Sequence, residues 1–219
     1  MLLYYITDRR QFAGSEAQRC ERLIDKIAEA AQAGVNFIQL REKDLSSHAL
    51  EDLATGAMAV VAKAVNNCGS LTRLLINSRV DVSIAVAADG VHLPAGEMNV
   101  LEARSIFQLA HCPSAIIGVS CHTLEEVGIA QHNSADLAVF GPVFEKAGVR
   151  IENGLDTLRR ACDQLVSINA SPQMRIFALG GVTLNNAQKC KEAGADGIAG
   201  IRLFQENIVA DVVRTLRPL

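Results

Sequence analysis

The chain alternates short apolar segments with longer amphipathic ones over its whole length, and this alternation restricts its fold more than any other feature. Parallel strands joined by crossover helices produce such a pattern. We predict eight strands, over residues 2–7, 37–40, 73–77, 90–93, 115–120, 137–142, 175–180 and 197–201. Strands of this length suit the wall of a barrel.

Apolar residues at helical spacing fill the intervals between these strands. The first helix, over 16–34, ends at Gly34, a residue typical of a C-terminal cap. Further helices are predicted over 46–67, 80–87, 99–110, 123–132, 155–167, 183–193 and 205–216. These βα units predict an α/β fold, a (β/α)8 TIM barrel that forms a single domain over residues 1–219. An open doubly wound sheet with an added edge is the alternative.

The joints between helices and strands also repeat. The segments "AADGV" (87–91), "SADLA" (134–138) and "GADGI" (194–198) each place an Ala-Asp pair where a helix passes into a strand. Recurrence at the same structural position indicates one unit used several times. We therefore expect a common tight turn at the bottom of the barrel.

Composition narrows the class of partner and the compartment. A net charge of -3 and the absence of Trp argue against nucleic-acid binding, which calls for a basic face and stacking platforms. The six cysteines form no CxxC pair, and the N-terminal residues lack the pattern of a secretory signal. We expect a cytoplasmic chain with no membrane segment, and the sequence leaves open whether it is a homo-oligomer.

Polar residues that follow the predicted strands are candidates for a site, because barrel active sites lie at the carboxyl ends of the strands. Gln39, Arg41 and Lys43 belong to the second strand end, Asn77 to the third and Ser120 to the fifth. Their charged and neutral donors suit a phosphate or pyrophosphate. The alternative for the charged segment, residues 41–44, is a salt bridge between Arg41 and Glu42 at the rim and nothing more.

A second candidate is the strand-to-helix turn "LGGVTLNNA" (179–187). Gly180 and Gly181 would let backbone amides approach an anion, and Thr183 is expected to cap the following helix. Phosphate sites in barrels recur after the seventh and eighth strands. Close packing is an equally good explanation of two adjacent glycines.

Two histidines lie near the predicted mouth of the barrel. His122 follows Ser120 closely and is either a proton shuttle or a structural cap of its loop. His92 alternates with Val91 and Leu93, which favours a position in the barrel core.

The chain resembles the thiamine phosphate synthase and TenI family through "YYITD", "IQLREKD", "LLINSRVDVSIAVAADGVHL", "IIGVSCHTLEEV", "ADLAVFGPVF" and "FALGGVTLNNAQKCKEAGADGIAGI". The synthase joins a hydroxymethylpyrimidine pyrophosphate to a thiazole phosphate with Mg2+, whereas TenI isomerises the thiazole without a metal. The resemblance implies a small phosphorylated substrate, a pyrophosphate and pyrimidine site and a thiazole phosphate site. The first comprises Gln39, Arg41, Lys43, Asn77 and Ser120, and the second Gly180, Gly181, Gly200, Ile201 and Arg202.

Three departures from the family pattern bear on the reaction. Ser78 stands where the family has a metal-binding Asp, which leaves Glu97 as the metal ligand that the resemblance implies. The Thr-Pro-Thr-Lys loop is absent, with Lys146 or Arg150 as substitutes, and Arg202 replaces a small Ser. We therefore favour a TenI-like tautomerase that needs no cofactor and uses His122 as acid and base. A synthase that uses Mg2+ and a non-catalytic phosphate binder are the alternatives.

Overall fold

The computed structural model describes residues 1–146, 149–167 and 174–219, and within them the chain forms a closed parallel barrel. Its strands are β1 (Leu2–Ile6), β2 (Phe37–Leu40), β3 (Arg73–Asn77), β4 (Gly90–Leu93), β5 (Ile116–Cys121), β6 (Leu137–Phe140), β9 (Arg175–Ala178) and β10 (Gly197–Gly200). Each pairs with its neighbour in chain order, and β10 pairs with β1 to close the barrel. The (β/α)8 prediction is thus confirmed. A separate antiparallel pair of short strands, β7 (Glu145–Lys146) and β8 (Val149–Arg150), follows β6 and was not predicted.

Helices surround the barrel close to the predicted positions. They are α1 (Glu16–Gln32), α2 (Ser47–Cys68), α3 (Val80–Ala85), α4 (Val100–Leu109), α5 (Leu124–His132), α6 (Gly154–Ser167), α7 (Ala187–Glu192), α8 (Arg202–Gln205) and α9 (Val209–Leu216). Capping boxes of Ser15, Asn99 and Thr123 with the third residue of each helix define the starts of α1, α4 and α5. Among the described residues, no helix is both long and apolar enough to cross a membrane.

Two helix predictions were wrong in detail. The helix predicted to start after Thr183 begins instead at Ala187, because the Asn186 side chain accepts a hydrogen bond from the Thr183 amide and donates one to the Gly181 carbonyl. The expected cap by the Thr183 side chain is therefore replaced by a turn that Asn186 holds. The helix predicted over 205–216 begins instead at Val209, and Gln205 is the last residue of a separate short helix, where its side chain pairs with the backbone N–H and carbonyl of Asp8.

The same hydrogen bond recurs at four of the joints between a helix and the following strand. A side-chain oxygen just before an even-numbered strand accepts from a backbone N–H of the preceding strand, at 2.7–2.9 Å. The four pairs are Asn36 with Leu3, Asp89 with Leu74, Asp136 with Ile117, and Asp196 with Ile176. The residue two positions earlier has a left-handed backbone each time, at Gly34, Ala87, Ser134 and Gly194. The barrel is therefore built from a unit of two strands and two helices, repeated around it.

Aromatic side chains fill the inside of the barrel. The Tyr4 ring lies edge-on to Phe37 and to Phe177, with centroids 5.8 and 5.5 Å apart, and all three are buried. A Cβ on Gly197 would lie 2.5 Å from the Phe177 ring, so the missing side chain makes room for that ring. Because the interior is packed, a ligand has to bind at the mouth of the barrel.

Candidate active site

The six predicted polar residues line one cavity at the carboxyl ends of the strands. This mouth cavity has a volume of about 330 Å³, and its wall includes Gln39, Arg41, Lys43, Asn77, Ser120 and His122. His92 and the apolar residues Ile6, Val139, Leu179 and Ile201 complete much of the lining. The barrel thus brings together polar groups that are up to 83 residues apart in sequence, from Gln39 to His122.

A second cavity of about 630 Å³ lies beside the first. This glycine-turn cavity is lined by the predicted residues Gly180, Gly181, Gly200, Ile201 and Arg202. Leu179 and Ile201 belong to the walls of both cavities. Two ligands bound in the two cavities would therefore be separated by little more than these two side chains.

The paired glycines have structural reasons of their own. Both have positive φ angles, 96° at Gly180 and 63° at Gly181. A Cβ on Gly180 would lie 2.7 Å from the Cα of Pro142, and one on Gly181 would lie 2.9 Å from the Glu145 nitrogen. Conformation and close packing therefore both require glycine here, and the phosphate-binding role stays a prediction.

The charged segment is connected to Arg9. Arg9 donates to Glu42 at 3.1 Å and to both oxygens of Asp44 at 2.7 and 2.9 Å. The rim salt bridge between Arg41 and Glu42 was therefore the wrong alternative. Arg41 and Lys43 form no ion pair with any residue that the structure describes. Two cations are left available to a ligand in the mouth cavity.

His92 connects the barrel core to Ser120. Its Nδ1 lies 3.0 Å from the Tyr4 hydroxyl and its Nε2 lies 3.0 Å from the Ser120 hydroxyl. Burial, aided by the charge of Arg41, lowers the pKa of His92 to about 3, so the ring is neutral at physiological pH. The core position predicted for His92 is confirmed.

The donors and acceptors of the Tyr4–His92–Ser120 hydrogen bonds can be assigned. The buried Tyr4 hydroxyl has no other partner in the described part of the chain, so it donates to Nδ1 of His92. A neutral ring then carries its proton on Nε2 and donates to Ser120. The Ser120 proton is left to point toward a ligand in the mouth cavity, which makes Ser120 a donor suited to an anion.

A second series of hydrogen bonds joins side-chain amides at the mouth cavity. Gln39 donates through Nε2 to Asn77 Oδ1 at 2.8 Å, and Asn77 donates through Nδ2 to the Ser78 hydroxyl at 3.0 Å. Gln39 and Asn77 are both buried. Gln39 Oε1 remains an acceptor beside the cationic part of the cavity, a position that suits an amino group on a ligand.

His122 is held by its loop but keeps one nitrogen available. Its Nδ1 lies 2.5 Å from the Gly141 carbonyl oxygen, and its backbone N–H donates to Glu126, which also caps α5. Since a carbonyl only accepts, Nδ1 carries a proton and Nε2 of a neutral ring is the basic atom. The structure therefore contains the loop contact of the structural alternative and a nitrogen able to exchange a proton.

Comparison with known proteins identifies the family. A sequence model described as thiamine monophosphate synthase matches residues 3–204. The chain belongs to this family. A relative from Aquifex aeolicus, named putative thiamine-phosphate synthase 2, is 33% identical over 93% of this chain and 97% of its own length. The thiamine-phosphate synthase of Clostridium acetobutylicum is 31% identical over 91% of this chain and 84% of its own length.

A solved member of the synthase family has the same architecture. Thiamine phosphate pyrophosphorylase from Pyrococcus furiosus is 28% identical, with a TM-score of 0.77 over 99% of this chain and 94% of its own. The expected family and fold are therefore confirmed, and the chain belongs to a family of thiamine-biosynthesis enzymes. The relatives' names favour the synthase over the tautomerase that the sequence analysis preferred.

The residues that the family pattern assigns to a metal do not form a complete site. Ser78 and Glu97 line a third cavity of about 290 Å³ together with Lys43 and Arg79. Among the described residues, no three His, Cys, Asp or Glu side chains are grouped to hold a metal. Mg2+ prefers several oxygen ligands and commonly one or two carboxylates. The second carboxylate of this cavity, Glu42, is bonded to Arg9, so Glu97 beside Lys43 and Arg79 does not fit a metal held by the chain alone.

Three partners in the site were missed by reasoning from sequence. Arg9 and Tyr4 lie on or just after β1, and His92 was assigned to the core without its link to Ser120. An Arg three residues after the end of β1 was the available signal for Arg9. The side chains of Lys146 and Arg150, suggested as substitutes for the missing loop, lie outside the described residues.

Proposed function

We propose that this chain is a thiamine-phosphate synthase that joins a hydroxymethylpyrimidine pyrophosphate to a thiazole phosphate. The observation that carries the proposal is the pair of adjoining cavities with common walls at Leu179 and Ile201. A condensing enzyme has to hold two ligands side by side with their reacting atoms in contact. An isomerase of a single ligand needs only one of these cavities.

The cavity with Arg41 and Lys43 is assigned to the pyrophosphate group. In the reaction, the C–O bond between the pyrimidine methylene and pyrophosphate breaks, and its electron pair leaves with the oxygen. The thiazole nitrogen then gives its lone pair to the methylene carbon, so no proton is transferred. Two cations and the Ser120 donor stabilise the charge that grows on the leaving oxygen.

The remaining groups orient the two substrates. Gln39 Oε1 is placed to accept from the amino group of the pyrimidine, because its amide nitrogen is occupied by Asn77. The glycine-turn cavity, with Arg202 on its wall, is assigned to the thiazole phosphate. The apolar side chains of Leu179 and Ile201 would exclude water from the space where the new C–N bond forms.

The tautomerase is a second candidate, and one observation favours it. His122 lines the mouth cavity with Nδ1 anchored to Gly141, which leaves Nε2 to take a proton from a ligand carbon and return it. The synthase is preferred because the relatives carry that name. In addition, Arg41 and Lys43, which have no ion-pair partner among the described residues, have no role in an isomerisation that releases no pyrophosphate.

The test is an assay of purified protein with both substrates, in Mg2+ and in EDTA, following thiamine phosphate and pyrophosphate. The synthase predicts both products in equal amounts, with strong loss of activity in Arg41→Met. Lys63→Met removes a cation from an exposed position on α2 and is the matched control. Absence of product would refute the synthase. Proton exchange into the thiazole that is lost in His122→Gln would then establish the tautomerase. Binding of thiazole phosphate without either reaction would establish the non-catalytic binder.

A further inference from the structure

We infer that Arg9 is a positioning residue for the pyrophosphate site, because it holds Glu42 and Asp44 away from Arg41 and Lys43. The inference rests on the proposed function and concerns the same cavity. Residues 41–44 alternate in charge, Arg-Glu-Lys-Asp, and an isolated segment of this kind would neutralise itself. Something has to keep its two carboxylates away from its two cations.

The contacts of Arg9 account for both carboxylates. Its side chain is only 3% exposed, although it is an arginine next to the mouth of the barrel. One nitrogen donates to Glu42 and to Asp44, a second donates to the other oxygen of Asp44, and Nε donates to Glu16 on α1 at 2.6 Å. The planar guanidinium therefore joins the charged segment to the first helix.

Glu42 is bound even more completely than Asp44. Its side chain is 1% exposed and accepts from the Thr7 hydroxyl at 2.6 Å and from the Arg9 backbone N–H at 3.1 and 3.2 Å. The Thr7 oxygen in turn accepts from the Arg41 backbone N–H at 2.9 Å. The charged segment is thus attached to the end of β1 through the Arg41 backbone and the Glu42 side chain.

Stability alone is a poor reason for this arrangement. Desolvation raises the pKa of Glu42 despite its hydrogen bonds with Thr7 and Arg9, so the burial of this carboxylate has a cost. A buried ion pair of this kind is often no more stabilising than well-packed apolar residues. The Arg9–Glu42 pair does keep a negative charge away from Arg41 and Lys43. These two cations line the mouth cavity without a described counter-ion.

The experiment measures binding of inorganic pyrophosphate by calorimetry, with the glycine-turn cavity saturated by thiazole phosphate. Arg9→Met is expected to weaken pyrophosphate binding about tenfold or more, because Asp44 loses both of its bonds to Arg9 and turns to the site cations, while Glu42 loses one of its donors. Thiazole phosphate affinity, measured separately, should stay within about twofold, which a general loss of structure would not allow. Arg10→Met is the matched control, since Arg10 is the next residue and its side chain is 66% exposed.

Two further variants keep the test decisive. Arg9→Lys retains a cation and is expected to recover part of the affinity, and it replaces Arg9→Met if that variant does not fold. Adding Glu42→Gln and Asp44→Asn to Arg9→Met removes the freed charges and should recover affinity as well. The inference alone would be overturned if Arg9→Met bound pyrophosphate as tightly as the unchanged chain. If Arg9→Met does not fold, the same result with Arg9→Lys would overturn it. No pyrophosphate binding by the unchanged chain would overturn the proposed function too.

Discussion

Replacement of His92 by Gln should flatten the dependence of stability on pH between about pH 7.5 and about pH 5. The pKa of the buried ring is about 3 in the folded chain, against an ordinary value of 6.5. Below pH 6.5 the unfolded chain therefore binds a proton that the folded chain does not. The stability associated with neutral His92 is fully present above 6.5 and is lost as the pH falls toward 3.

The size of the effect follows from these two values. Each pH unit below the ordinary pKa costs about 1.4 kcal/mol, so at about pH 5 the free energy of unfolding should be roughly 2 kcal/mol lower than at about pH 7.5 through this group alone. Gln offers an acceptor to Tyr4 and a donor to Ser120 but does not titrate. Its own effect on stability is independent of pH, so the comparison of slopes removes it.

Urea unfolding at several pH values gives the slope of the free energy of unfolding against pH for the unchanged chain and for His92→Gln. The control is His48→Gln, because His48 lies on the surface of α2 with a side chain that is 87% exposed. The carboxylates titrate alike in all three proteins, so their contribution cancels. If His92→Gln keeps the slope of the unchanged chain within error, then the ring is not buried as a neutral acceptor and donor, and the assignment of Ser120 as a donor fails with it.

Three other substitutions test the joint, the glycine turn and the metal question. Asp136→Ala should lower the free energy of unfolding by roughly 1–3 kcal/mol in urea titrations, because it leaves the buried amide of Ile117 without its acceptor; an unchanged midpoint would refute the role of the joint. Gly181→Ala should lower stability by roughly 1–3 kcal/mol and abolish thiazole phosphate binding in calorimetry, since φ is positive and Glu145 lies 2.9 Å from the new Cβ; retained binding would count against the turn. Ser78→Asp should tighten Mg2+ binding in the presence of pyrophosphate, as the new carboxylate joins Glu97; equal calorimetric affinities would show that the metal binds elsewhere.

Local pattern was enough to predict the architecture. Strand and helix periods are properties of neighbouring residues, and the bounds of β2, β3 and β4 are those expected. The Asp89, Asp136 and Asp196 joints were visible as a repeat for the same reason. Local pattern failed at Thr183, where the Asn186 side chain and not helix propensity decides where α7 begins.

Candidate site residues could be collected from sequence because parallel strands all end at the same mouth. The hydrogen-bond and ion-pair partners of these side chains could not be predicted from the strand ends. Arg9 and Glu42 are 33 residues apart, and His92 and Ser120 are 28 apart. Their contacts depend on the pairing of β1 with β2 and of β4 with β5, and on the register of those pairs.

The sequence by itself therefore determined the order of the eight barrel strands, the family and the candidate polar groups at the barrel mouth. The tertiary structure decided which charges are neutralised and which are left for a ligand. Closure of the barrel places Arg9 beside Glu42 and Asp44, so their charges are satisfied away from Arg41 and Lys43. Hydrogen bonds and ion pairs act over a few ångströms in space, whereas the patterns of a sequence report only on neighbours along the chain.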